Sequence, residues 1–134
     1  MDRLFFDTNV LLDVLERRDP WFPEAVECLE LARAGRCVGA VSAITLSDIA
    51  YTHRATETSK VCAAFEQLVG FLDIAPLDRS AVAAAMARRL PDIEDGFQME
   101  AAVRWGATHL LTRNLKDFPP DERMQIVSPL EYLA

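Results

Sequence analysis

Five short apolar segments, separated by stretches with helical spacing, are the feature that most constrains the fold of this chain. They lie at residues 3–6, 37–41, 71–75, 108–112 and 125–127. Between them, apolar residues recur at the three- and four-residue intervals of amphipathic helices. Strands that alternate with helices in this way pack as a parallel sheet with helices on both faces. We therefore predict an α/β fold with a central parallel sheet.

Residues at the ends of the periodic stretches set the predicted helix boundaries. Helices are predicted directly after the first strand, from Pro23 to about Gly35, after a cap at Ser42 or Thr45, and over residues 57–69, 79–90 and about 92–105. Gly106 occupies the stop position of the last of these helices. A chain of 134 residues without a linker or repeat is expected to form one domain, residues 1–134.

Charge and cysteine content exclude several classes of protein. A formal net charge of −7 argues against a general coating of nucleic acid, because such proteins neutralise phosphates with a basic surface. An enzyme that makes few phosphate contacts, or makes them through a metal, remains compatible with this charge. Cys28, Cys37 and Cys62 are widely spaced without a CxxC pair, so we interpret them as reduced core residues.

The sequence contains neither a predicted membrane span nor a secretion signal. The longest apolar runs are far shorter than the ~18 residues of a spanning helix. The N-terminus lacks the basic, apolar and small-residue order of a signal peptide. We expect a cytoplasmic protein without a membrane partner.

An acid lies between two apolar runs in the opening segment RLFFDTNVLLDVL, residues 3–15. Asp7 follows the first predicted strand and precedes the apolar face of a helix. A charge flanked by core is costly unless it is paired, bound to a metal or exposed at an edge. Asp7 is therefore either a helix cap or a site residue at the strand end. Asp13, six residues later, is expected to be structural or solvated.

Three further acids are predicted to reach the same edge of the sheet. Asp48 lies about one turn into the helix after the second strand, Asp95 begins the helix before the fourth strand, and Asp117 follows that strand. Ligand crevices of open α/β sheets form at the carboxyl ends of strands. Each acid alone is also compatible with a solvated helix residue, a dipole-favoured first-turn acid or a turn former. Together they predict one acidic crevice.

The chemistry of this crevice points to a metal. Neither His53 nor His109 falls beside the four acids, and carboxylates alone suit a hard cation such as Mg²⁺ or Mn²⁺. Crowded acids hold protons until a cation enters. Such a cation activates water and stabilises the oxygens of a phosphodiester, so hydrolytic phosphoryl transfer is the predicted reaction.

Four blocks of sequence, taken in order, form a specific combination. They are DTNVLLDVL at 7–15, VSAITLSDIAY at 41–51, DIEDGFQMEAA at 92–102 and LLTRNLKDF at 110–118. In order and spacing they resemble the PIN-domain family, in particular ribonuclease toxins of the VapC type. The resemblance implies a three-layer α/β/α sandwich and a Mg²⁺- or Mn²⁺-dependent endoribonuclease. It also implies a homodimer that a VapB-like antitoxin holds inactive.

The resemblance also assigns roles to individual residues. The family's acids fall on Asp7, Asp48, Asp95 and Asp117, of which Asp7, Asp95 and Asp117 would bind the metal. The supporting residues that it implies are Thr8, Asn9, Glu94, Thr112 and Asn114. Arg113 and Lys116 are candidate contacts to the RNA backbone, with solvated loop charges as the alternative.

Two departures from the family pattern qualify these roles. Asp48 stands where the family usually has Glu. Because the Asp side chain is one methylene shorter, we expect it to bind the metal more weakly. Gly96 stands where Ala is common, and Gly inside a helix costs up to ~1 kcal/mol relative to Ala.

Two other functions stay open at this point. The short Asp48 side chain favours a catalytically weak PIN-like interaction module. An aspartate-based phosphotransfer domain would use Asp7 as its nucleophile, although Asn9 occupies the place of the second acid that the dehalogenase type requires. Trp21 and Phe22 are candidates for a groove that receives a partner helix, or for packing at the start of the following helix.

Overall fold

The computed structural model describes residues 1–134 and contains the predicted alternation of strands and helices. The strands are β1 (Arg3–Phe6), β2 (Val38–Ser42), β3 (Leu72–Ala75), β4 (His109–Leu111) and β5 (Gln125–Val127). The helices are α1 (Thr8–Leu15), α2 (Phe22–Arg33), α3 (Ala43–Thr52), α4 (Lys60–Leu68), α5 (Arg79–Ala87), α6 (Ile93–Trp105) and α7 (Pro129–Leu133). A short 3₁₀ turn covers Leu115–Asp117. All five predicted strands are confirmed, with small shifts at their ends.

The strands form one parallel sheet in the order β3-β2-β1-β4-β5. In this order β1 is central, with Leu4 paired to Gly39 on one side and to His109 on the other. The chain builds the sheet outward from β1 to β3 and then crosses back to place β4 on the opposite side of β1. The strand order therefore reverses between β1 and β4, and the crevice of such a fold forms outside their carboxyl ends.

Two hydrophobic cores lie on opposite faces of this sheet. Successive strand residues point to opposite faces, so Leu4 and Phe6 enter one core and Phe5 enters the other. Helices α1 to α4 and α7 contribute to the first core, and α6 supplies Met99, Ala101 and Ala102 to the second. The result is the expected α/β/α sandwich around a parallel sheet.

Two glycines matter for α6, one at its end and one in its packing against α5. Gly106 ends the helix in the left-handed conformation with φ +88°, which glycine adopts without strain. At Gly96, a Cβ atom would lie 3.0 Å from the carbonyl oxygen of Ala85 in α5. The glycine that costs helix propensity therefore permits close packing between α5 and α6.

Several details differ from the sequence-based predictions. The helix predicted over 79–90 ends at Ala87, before Pro91, and α7 was not predicted, although Ser128 and Glu131 form a capping box at its start. Ser42 rather than Thr45 caps α3. None of the helices combines the length and apolar character that crossing a membrane requires.

Candidate active site

Asp7 lies directly after the central strand β1, and its carboxylate is held by four donors. Its Oδ1 accepts from the Thr8 backbone N–H at 2.9 Å and from Gln98 Nε2 at 3.1 Å. Its Oδ2 accepts from Asn9 Nδ2 at 2.9 Å and from the Thr112 hydroxyl at 2.8 Å. The residue is only 6% exposed. Asp7 therefore does cap α1, as the simpler interpretation held, but donors from α6 and from the end of β4 also fix its orientation.

Burial and hydrogen bonding act on the Asp7 carboxyl in opposite directions. Burial raises its pKa, because the charged form loses water. The hydrogen bonds from Thr112, Gln98, Thr8 and Asn9 lower it, and burial remains the larger effect. A cation in contact with this carboxylate would stabilise its charged form.

Gln98 is a site residue that the sequence analysis missed. Its side chain is 3% exposed and connects Asp7 to the start of α3, because its Oε1 accepts from the Ser42 hydroxyl at 2.7 Å. Its Nε2 carries two hydrogens but lies near three acceptors: Asp7 Oδ1 at 3.1 Å, Thr8 Oγ1 at 3.2 Å and Thr45 Oγ1 at 2.8 Å. One signal was available, since Gln98 lies three residues after Asp95 and thus on the same face of α6.

The acids around Asp7 line one cavity of about 210 Å³. Its polar lining consists of Asp7, Thr8, Asn9, Asp48, Asp92, Glu94, Asp95, Gln98 and Asn114. Asp48 reaches it from α3, and Glu94 and Asp95 reach it from the first turn of α6. The structure thus brings three of the four predicted catalytic acids, Asp7, Asp48 and Asp95, to one cavity.

Asp117 lies beside this cavity rather than in it. It belongs to the exposed 3₁₀ turn after β4 and lines an adjoining cavity of about 320 Å³ together with Lys116. Asp92 and Asp95 line both cavities. From this loop, Asn114 rather than Asp117 lines the first cavity.

Crowding shifts the pKa of the acids in the first turn of α6. The pKa of Asp95 rises from 3.8 to about 6, first because of burial and then because of the negative charges of Asp92, Asp7 and Asp117. Burial and the neighbouring Asp48 charge also raise the pKa of Glu94. Neighbouring negative charges make each of these acids harder to ionise. A divalent cation bound among them would remove this repulsion.

Arg113 takes a position that differs from the expected one. Instead of extending into solvent as an RNA contact, its guanidinium pairs with the buried Asp13, with Nε 2.6 Å from Oδ2 and Nη2 3.1 Å from Oδ1. Asp13 is therefore structural rather than solvated. Lys116 is exposed and lines the adjoining cavity together with Asp117.

The donor set fits a divalent cation in kind, whereas its present geometry does not form a closed site. The cavity offers carboxylate, hydroxyl and amide oxygens, which are the ligands of Mg²⁺ and Mn²⁺. No three His, Cys, Asp or Glu side chains lie close enough together to hold one ion. The set that the resemblance implied, Asp7, Asp95 and Asp117, is accordingly not assembled.

Comparison with solved structures shows which proteins share this fold. One match is a chain of a toxin–antitoxin complex from Klebsiella pneumoniae, with 24% identity, a TM-score of 0.68, and coverage of 94% of this chain and 97% of that one. Another is a chain of VapBC2 from Rickettsia felis bound to a promoter DNA fragment, with 16% identity, a TM-score of 0.67, and coverage of 92% and 96%. A chain of FitAcB from Neisseria gonorrhoeae matches with 19% identity, a TM-score of 0.66, and coverage of 95% and 98%.

Sequence comparison gives the family. A comparison with curated protein sequences found no match. The family model described as "PIN domain" matches residues 3–116, which include β1, every acid of the two cavities except Asp117, and the loop after β4 as far as Lys116. The chain therefore belongs to the PIN domain family.

Proposed function

We propose that this protein is a divalent-metal-dependent endoribonuclease, the toxin of a VapBC-type toxin–antitoxin pair. PIN domains are generally divalent-metal-dependent, and toxins of the VapC type are generally nucleases. The observation that carries the proposal is the acidic cavity outside the carboxyl end of β1, which Asp7, Asp48 and Asp95 line together and where burial and like charges raise the pKa of Asp95 to about 6.

Asp7 and Asp95 are the proposed principal metal ligands, with Asp48, Asp117 and Asn114 supplying further oxygens at the rim. A bound Mg²⁺ or Mn²⁺ would activate water for attack on a phosphodiester. Four donors already contact the carboxylate of Asp7, so Asp7 would lose one of these hydrogen bonds if it held a metal. Gln98 is the donor that leaves at least cost, since its two hydrogens can still serve Thr8 and Thr45.

The remaining polar residues would orient the acids and the substrate. Thr112 and Asn9 fix Oδ2 of Asp7, so that its carboxylate keeps one direction as RNA enters. Lys116, exposed beside Asp117, would contact a phosphate at the rim of the second cavity. A chain with net charge −7 makes few such contacts, which favours cleavage at particular sites over broad binding to RNA.

The proposed partners are suggested by the complexes in which chains of similar fold were solved. The solved neighbours include toxin–antitoxin assemblies, one of them bound to promoter DNA. By analogy, we propose a VapB-like antitoxin as the inhibitory partner, a homodimer as the active form, and the cytoplasm as the place of action. Copurification with the product of an adjacent reading frame would test the antitoxin.

The direct test of the activity is RNA cleavage by the purified chain. With Mg²⁺ or Mn²⁺ the wild type should cleave structured RNA, while Asp7→Asn and Asp95→Asn should lower the rate by at least about a hundredfold. Glu66→Gln, which removes one negative charge from an exposed site on α4, is the matched control and should cleave normally. Equal cleavage by all four proteins would refute the assignment.

Two observations favour the second candidate, a PIN-like interaction module without catalysis. The saturated Asp7 carboxylate and the absence of three assembled acids are what a site with weak metal affinity would show. A protein of this kind would bind its partner but give no RNA cleavage at millimolar Mn²⁺. The cleavage assay therefore discriminates the two functions.

A further inference from the structure

A buried ion pair joins the loop after β4 to helix α1. Asp13, in α1, is 0% exposed, and both of its carboxylate oxygens accept from the Arg113 guanidinium, at 2.6 and 3.1 Å. The Trp21 ring covers the guanidinium, with Cζ 3.9 Å from the ring centroid. The Asp13 carboxylate is fully buried, whereas the Arg113 side chain keeps 20% exposure. The two parallel hydrogen bonds give the pair a defined geometry, and Asp13 would be costly to bury without its partner.

Residue 113 is attached to α1 at a second point. Its backbone N–H donates to Asn9 Oδ1 at 3.2 Å. Asn9 and Asp13 lie four residues apart, on one face of α1. The two attachments fix both the position and the orientation of this part of the loop relative to α1.

The two donors to Asp7 Oδ2 are directly connected to these attachments: Thr112 precedes Arg113 in the chain, and Asn9 accepts the backbone N–H of Arg113. Thr112, directly before Arg113, donates to Oδ2 at 2.8 Å, and Asn9 donates to the same oxygen at 2.9 Å. Asn114, directly after Arg113, lines the acidic cavity, and its backbone N–H donates to Thr112 Oγ1 at 3.0 Å. A movement of residue 113 would therefore shift the hydrogen bonds that orient Asp7.

We infer that Arg113 is a positioning residue: through its pair with Asp13 it holds Thr112 and Asn9 against Asp7 and keeps Asn114 at the acidic cavity. The inference rests on the proposed metal site, and it replaces the role of Arg113 as an RNA contact. Residues that orient metal ligands from behind commonly change metal affinity or activity by about 10–100-fold when they are replaced.

The test separates positioning from stability by removing both partners. The single variant Arg113→Met would leave Asp13 charged and buried alone, so it is expected to unfold easily. The double variant Asp13→Leu with Arg113→Met removes both charges and is expected to keep a thermal midpoint near that of wild type. We expect its Mn²⁺ dissociation constant, measured by calorimetry, to rise at least about tenfold.

A second readout does not depend on metal. In the double variant, amide hydrogen exchange at residues 113 and 114 should accelerate, while exchange in the interior of α6 should be unchanged. The control is Glu30→Leu with Arg33→Met, which removes an exposed ion pair on α2 and should alter neither quantity. Arg113→Lys keeps the positive charge but cannot form the bidentate contact with Asp13. It replaces the double variant in the test if the double variant is unstable, and it should also weaken Mn²⁺ binding.

Each outcome has one meaning. Wild-type Mn²⁺ affinity in the double variant, or in Arg113→Lys where that variant is measured, would overturn the positioning role, whether or not exchange at residues 113 and 114 accelerates. Absence of Mn²⁺ binding by the wild type would instead refute the proposed metal site. The exchange data would then still report whether the pair holds the loop.

Discussion

The two central carboxyl groups respond to different surroundings. Asp7 is deeply buried, yet four donors stabilise its charge. Asp95 is half-buried and has no such donors, but it faces the charges of Asp92, Asp7 and Asp117. Burial raises the pKa of both acids, but like charges add to this effect at Asp95, whereas hydrogen bonds oppose it at Asp7.

The raised pKa of Asp95 predicts a specific dependence of stability on pH. An acid whose pKa is higher in the folded state, about 6, than in the unfolded chain, ~3.9, contributes stability below pH ~4 that is lost as the pH rises through 6. Without metal, Asp95→Asn should therefore be more stable than wild type at pH 7. Solvent screening at a half-buried group reduces the gain to the order of 1 kcal/mol.

Urea denaturation of the metal-free proteins at pH 4, 6 and 8 measures this effect. Asp121→Asn is an opposite-sign control, because Arg123 lowers the pKa of Asp121 to about 2 and that substitution should destabilise the protein at neutral pH. A lower stability of Asp95→Asn than of wild type at pH 8 would contradict the prediction.

The positions of single residues in the fold could be predicted where they depend on neighbouring residues in the sequence. Asp7 was recognisable because it follows an apolar strand directly, and the left-handed Gly106 because it follows a long helix. The spacing of Gln98 from Asp95 indicated its helix face, but the contact of Gln98 with Asp7 and the Asp13–Arg113 pair could not be predicted, since the partners lie 91 and 100 residues apart along the chain. A polar residue on a buried helix face does not reveal in advance what it will contact.

At the scale of elements, α6 connects both sides of the site. It carries Asp95 to the cavity, and through Gln98 it contacts both the end of β1 and the cap of α3. Gly96 lets α6 pack closely against α5. Sequence periodicity predicted α6 but not its distance from α5, because the distance between two helices depends on the residues of both.

Replacement of Gln98 tests this connecting role. Gln98→Leu removes the acceptor of the Ser42 hydroxyl and the donor to Thr45, so buried polar groups lose their partners. We expect a loss of about 1–3 kcal/mol in the free energy of unfolding, measured by urea denaturation. Gln67→Leu, at an exposed position of α4, is the control. Equal stability of the two variants would show that the network is not needed to hold α6.

For the whole molecule, the strand order determines where the site forms. The sheet order β3-β2-β1-β4-β5 places the reversal of the chain beside Asp7, and acids from residues 48 and 95 reach the same point. Alternation of strands and helices predicted the layers, and the carboxyl-end rule predicted the edge. Asp117 lies in the adjoining cavity because the chain forms a 3₁₀ turn after β4, which no periodic pattern could indicate.

The measurement that most directly tests the metal site is a thermal unfolding titration with Mn²⁺. A ligand that binds only the folded state raises the unfolding midpoint as its concentration increases. We expect millimolar Mn²⁺ to stabilise the wild type and Glu66→Gln, whereas Asp95→Asn should be more stable than wild type without metal at pH 7 and respond weakly to Mn²⁺. A wild-type midpoint that Mn²⁺ leaves unchanged, or an equal rise in Asp95→Asn, would contradict a metal site at Asp95.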